Sequence, residues 1–167
     1  MRRICLFFLL AALLLSPLVA PGRVPEGSRL RDILPTEGLI GSSVVAIRDQ
    51  AALNAHYYLA DETILGFGKN TEAVFARYMA GPGEALLLVI SYRSEEDARH
   101  IYEKFGQDFF SKTFDGTSSR TLEKLETGDY AAAAVARSVL IVILEAPDRK
   151  SCEQLIKRVE EKARLLF

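Results

Sequence analysis

Apolar and polar positions change their period along the chain, and the changes mark the elements. Val74 to Ala80 is β-branched and aromatic, and Gly81-Pro82-Gly83 follows as a turn. Proline presets one φ there and glycine supplies the positive one. Ala85 to Tyr92 is a continuous apolar run of strand length, which predicts a strand covered on both faces. Ser94 is then placed as an N-cap, with Glu95, Glu96 and Asp97 in the first helical turn. Ala98, Ile101, Tyr102, Phe105 and Phe109 recur at helical spacing. The stretch reads as a hairpin followed by a helix.

The last third reads the same way. Tyr130 to Ala136 precedes Arg137-Ser138 and the apolar run Val139 to Ala146. Pro147-Asp148 opens a final helix whose apolar face is Cys152, Leu155, Ile156, Val159 and Ala163. Glu153 with Lys157 and Glu160 with Arg164 are spaced as exposed i,i+4 pairs on it. "RTLEKLE" before Thr127-Gly128-Asp129 fits a strand or a helical turn, and the flanking turns and repeat position favour the strand. The small residues at Ala131 to Ala134 let a neighbour approach closely, a packing helix before a ligand. The expected fold is α+β: one antiparallel sheet from two degenerate strand-strand-helix repeats, with helices packed on it, since one such unit cannot cover its own sheet.

Gln50 to Leu65 is expected as a further helix capped by Asp49. Leu53, Tyr57, Ala60 and Ile64 would form its buried stripe, with Phe67 just beyond. His56 and Tyr58 flank that stripe, and Asp61 and Glu62 point to solvent. This segment holds the candidate ligand contacts: His56, Tyr58, Asp61 and Glu62. A catalytic version makes His56 a general base or ligand, Asp61 or Glu62 its orienter and Tyr58 a donor. The spacing does not require it, because two ligands of one metal on a helix sit three or four apart, and His56 and Asp61 are five apart.

The first residues bear on location. Met1-Arg2-Arg3, the apolar run Ile4 to Leu15, the break at Ser16-Pro17 and the small residues Ala20 and Gly22 follow the plan of a signal peptide. The expectation is a signal peptide over 1–22, a linker over 23–29 and one domain over 30–167, in a periplasmic or secreted protein. An uncleaved inner-membrane anchor is the alternative, and the only expected contact with a membrane. Removing 1–22 takes away Arg2 and Arg3 and no acid, so the formal charge moves from −1 to −3. That balance disfavours nucleic acid and anionic lipid as partners. It also leaves Cys152 as the one cysteine, which excludes an internal disulfide and a cysteine-based zinc site.

Catalytic motifs fail on inspection. "GFGKNT" from Gly66 lacks the first glycine of a phosphate loop, where Thr63 stands, and has Asn70 after Lys69. No Gly-x-Ser-x-Gly elbow and no His-Glu-x-x-His occur. His100 shares its helix side with Glu96, Glu103, Lys104 and Gln107 and reads as a surface residue. Cys152, on an apolar face, reads as a buried small hydrophobe. No metal or other cofactor is expected.

The order of an export signal, "LRDILP", "HYYLADETILGFG", "VFARYMA", "LLLVISYRSEEDARHIYEKF" and a closing "VLIVILEA" plus helix resembles an exported bacterial family known only as a domain of unknown function. The resemblance rests on packing patterns. It implies a bacterial envelope location and no activity. The expected function is a non-catalytic binding or interaction module of the cell envelope, with an envelope protein or small ligand as partner. The expected surface is an open sheet face or an edge strand. The alternatives are a small envelope enzyme using His56, Tyr58 and Asp61, and a self-associating structural protein that forms a homo-oligomer.

Overall fold

The computed structural model describes residues 28–60, 63–110 and 114–167. The expected signal segment and the linker up to residue 27 lie outside the described residues, as do Asp61 and Glu62. In chain order the elements are α1 (Arg29–Asp32), a 3₁₀ turn (Gly41–Ser43), β1 (Val45–Ile47), α2 (Gln50–Asn54), β2 (Glu72–Ala80), β3 (Gly83–Ser91), α3 (Glu95–Phe109), β4 (Arg120–Lys124), β5 (Tyr130–Ala136), β6 (Val139–Ala146) and α4 (Arg149–Leu166). The six strands form one antiparallel sheet in the order β1-β2-β3-β6-β5-β4. The fold is α+β, with both apolar hairpins at the centre. Ser28 and Arg29, expected in the linker, already belong to the first turn of α1, where the Arg31 N–H donates to the Ser28 carbonyl.

Local chemistry explains most boundaries. Ser94 accepts from the Asp97 N–H at 3.0 Å, and Asp148 accepts from the Ser151 N–H at 2.9 Å, so both long helices start at a side-chain cap. "RTLEKLE" supplies β4, the edge strand. Its neighbour β5 is alanine-rich because helices press on it from both sides: Ala131 and Ala133 join the core with Ala98, Tyr102 and Phe105 of α3, and Ala132 and Ala134 join the core with Cys152, Ile156 and Val159 of α4. The central strand β6 divides its residues the same way, Val139, Ile141 and Ile143 towards α4 and Leu140 and Val142 towards α3.

The two long helices therefore lie on opposite faces of the sheet, both over β5 and β6. The hairpin β2–β3 is covered by α1 on the α4 side, through Leu30, Ile33 and Leu34. On the other side it is covered by α2 and the segment after it, through Leu53, Leu59, Ile64 and Leu65. The open sheet face expected as a binding surface is not found among the described residues.

The expected helix over Gln50 to Leu65 is corrected. It ends at Asn54, after five residues. The core takes Leu53, Leu59, Ile64 and Leu65, and a straight helix puts Leu59 and Leu65 off the stripe that holds Leu53 and Ile64. Asn54 also turns its side chain to local partners, accepting from Gln50 Nε2 at 2.9 Å and from the Leu59 N–H at 3.5 Å. Ala60, expected in the buried stripe, is exposed. On α4, Glu153 pairs with Arg149 (2.7 Å) rather than Lys157, while Arg164 meets Glu160 as expected (2.7 Å). Glu160 is buried rather than exposed, because Arg120 of the edge strand closes over it at 3.5 Å.

Candidate functional site

His56 and Tyr58 follow α2 in irregular backbone. The His56 ring stacks on the buried Phe75 of β2, with centroids 5.1 Å apart and planes 20° from parallel. It is otherwise exposed and makes no side-chain hydrogen bond among the described residues. Tyr58 is 73% exposed. Stacking on Phe75 accounts for His56 as a cover on the core edge, and no described carboxylate orients it. "GFGKNT" is a turn: Thr71 Oγ1 accepts from the Gly68 N–H at 2.9 Å and bonds back to the Gly68 carbonyl at 2.8 Å. His100 is exposed, as expected. Cys152 is fully buried, and burial first, then the Glu153 and Asp148 charges, pushes its thiol up to about 12, which removes it as a nucleophile. The described residues hold no group of three or more His, Cys, Asp or Glu side chains placed to share a metal ion.

Tyr57 of that segment, expected only as core, faces a carboxylate. It is half-buried, and its phenol lies near enough to the Glu145 carboxylate for each to affect the other's proton. A β-bulge delivers that carboxylate. Leu86 stands opposite Glu145 and Leu87 opposite Ile143, so β6 carries one extra residue at Leu144. Leu144 and Glu145 consequently leave the strand on the same side, and Glu145 comes to face Tyr57. Burial, then the Asp129 charge, raises the Glu145 carboxyl above its ordinary range, and the Tyr57 bond partly opposes this. Burial and the Glu145 charge push the Tyr57 phenol up to about 12. The pair reads as a structural contact at the edge of the core.

The other side of β2 differs. Tyr78 is 2% exposed, and its hydroxyl is buried with no hydrogen-bond partner among the described residues. It lines a cleft of about 190 Å³ shared with Glu37, Gln154, Leu155 and Arg158. Three elements build the cleft. Ser151, Gln154, Leu155 and Arg158 lie at helical spacing on one face of α4. Tyr78 comes from β2, whose alternation turns Arg77 and Met79 outward and Tyr78 inward. Glu37 comes from a strap, residues 36–40, that runs along the end of β2: the Met79 N–H donates to the Gly38 carbonyl at 2.7 Å and the Ile40 N–H to the Arg77 carbonyl at 2.9 Å. Gly38 holds a φ of +76°, and a Cβ there would lie 2.9 Å from the Met79 oxygen. Only glycine lets the strap lie this close.

Charge in the cleft is balanced by one exposed contact. Arg158 Nη1 meets Glu37 Oε2 at 2.5 Å, and Glu37 is 82% exposed. Ser151 Oγ is already committed, donating to Asp148 Oδ2 at 2.7 Å. Tyr102 also has a buried hydroxyl without a partner among the described residues, but its ring rests edge-on against Phe114, directly after 111–113, which are not described. Two other grooves, one along Arg120, Arg149 and Lys157 and one along Arg99, Arg137 and Arg164, hold no buried polar side-chain atom left without a partner among the described residues. Nothing in the sequence singled out Glu37, Tyr78 or Arg158. No protein-family model matches the chain, and no curated protein or solved structure is significantly similar to it.

Proposed function

We propose that this protein is a non-catalytic binding module of the bacterial cell envelope, with the Tyr78–Arg158 cleft as its binding site. One observation carries the reading: Tyr78 lines a polar cleft, and its buried hydroxyl has no partner among the described residues. An unsatisfied buried hydroxyl costs about 1–3 kcal/mol, and such a group in a native fold calls for an explanation. A ligand that accepts from it supplies one. Export is supported by the charge, apolar run and break of residues 1–22. No helix of the described residues is long and apolar enough to cross a membrane.

The enzyme alternative, with His56, Tyr58 and Asp61, gains no support among the described residues, since His56 is spent on Phe75 and Tyr58 points into water. The test is native mass spectrometry of protein gently purified from its own host's envelope. A reproducible small-molecule adduct, lost in Tyr78→Phe, is the expected result. A bare monomer, together with loss of the cellular phenotype in stable His56→Ala, would reverse the reading in favour of an enzyme.

A further inference from the structure

We infer that the cleft recognises a carboxylate group, and that Glu37 occupies its cation in the free protein as an internal stand-in. The inference rests on the binding-module reading and names the chemistry of that site's ligand.

The strap itself shows what fits. A carboxylate oxygen already sits 2.5 Å from the Arg158 guanidinium, the planar fork to which carboxylates are matched. What this internal group leaves unused is the Tyr78 hydroxyl, which has no partner among the described residues. An incoming carboxylate would take both, one oxygen on the guanidinium and the other accepting from the phenol. The Gln154 amide, one helical turn before Arg158, stands at the rim as a further donor. A dianion fits less well. The site offers one full positive charge, from Arg158, and otherwise neutral donors. The cleft volume, about 190 Å³, corresponds to roughly six water molecules and admits a carboxylate head with a short stem.

Displacement is cheap. Glu37 is largely in water, so a side-chain rotation frees Arg158 while the strap stays bonded to β2. Glu37 therefore sets the affinity: whatever fraction of time it spends on Arg158 is subtracted from the competent state.

The experiment is titration of the isotope-labelled protein, followed by amide chemical shifts at constant ionic strength. The probes are acetate, succinate, and trialanine with a free or an amidated C-terminus. Saturable shifts at Glu37, Met79, Gln154 and Arg158 are expected with the carboxylates and none with the amide. Glu37→Gln should bind about two- to fivefold tighter, because the competitor is gone. Tyr78→Phe should bind about tenfold more weakly, the loss of one hydrogen bond, with its melting temperature unchanged or raised. Arg158→Gln should not bind. Trialanine acid binding more tightly than acetate would identify a chain terminus as the source, and equal or weaker binding a free small acid. The inference falls if Glu37→Gln shows no saturable shift with any carboxylate, or if Arg158→Gln binds like the wild type. A host-derived adduct that lacks a carboxylate would overturn this inference and leave the binding module standing.

Discussion

Tyr57 and Tyr78 lie on opposite sides of the same sheet, both with phenols pushed up by burial, and they are treated in opposite ways. Tyr57 is given a partner, and a bulge in the central strand is what brings Glu145 to it. Tyr78 is given none, although Arg158 lies close enough for its charge to oppose the effect of burial on the phenol. Exposure would rank them the other way, since Tyr57 is the more accessible. The state of the hydroxyl, used or unused, separates a structural contact from a binding contact more sharply than accessibility does.

Five substitutions test that contrast. The largest expected effect is on the strap: Gly38→Ala meets both the left-handed φ and the Met79 oxygen, and should cost about 1–3 kcal/mol in urea unfolding. It should also alter carboxylate binding, while the Tyr57–Glu145 contact, read by NMR, stays in place. Next, Tyr57→Phe should cost about 1 kcal/mol, whereas Tyr78→Phe should cost nothing or stabilise. Equal losses at the two sites would break the comparison.

Glu145→Gln is a smaller, pH-dependent case. Its carboxyl is raised in the folded state, so the stability it contributes is present below its unfolded pKa and is lost as pH rises through the folded one. The variant should therefore gain on wild type at pH 7, by less than about 0.5 kcal/mol, with the gain shrinking as pH falls through the carboxylate range. Melting curves at pH 4 and pH 7 check the sign. Smallest of all, His56→Ala removes only a ring stacked at the core edge and should stay within about 0.5 kcal/mol in the same denaturant assay.

Much of the fold was legible because its signals are local. Tyr130 to Ala136 and Val139 to Ala146 coincide with β5 and β6, and Asp49, Ser94 and Asp148 all cap as their positions predict. The segment after α2 was misread because its apolar residues fit a helix only in part, and the sheet, rather than helical period, decided which were buried. The bulge was hidden for a different reason. "VLIVILEA" reads as an unbroken strand, and the extra residue exists only relative to two neighbouring strands. His56 and Tyr58 drew attention by residue type, and the structure gives neither a chemical partner among the described residues. The cleft drew none, since Glu37, Tyr78 and Arg158 are far apart in sequence. Strand period alone puts Tyr78 on the face of Val74 and Ala76, but the apolar Met79 beside it hides which face is buried.

The position of α3 has a consequence for the chain as it is made. Its apolar face packs mainly on β5 and β6, which come after it in sequence. A nascent chain that has reached Phe109 has its first hairpin but not the surface on which that helix rests. The N-terminal half is thus an unfinished half rather than a domain, and most of the long-range order must arrive together, late. Late closure of the sheet keeps the chain extended until its last helix has emerged.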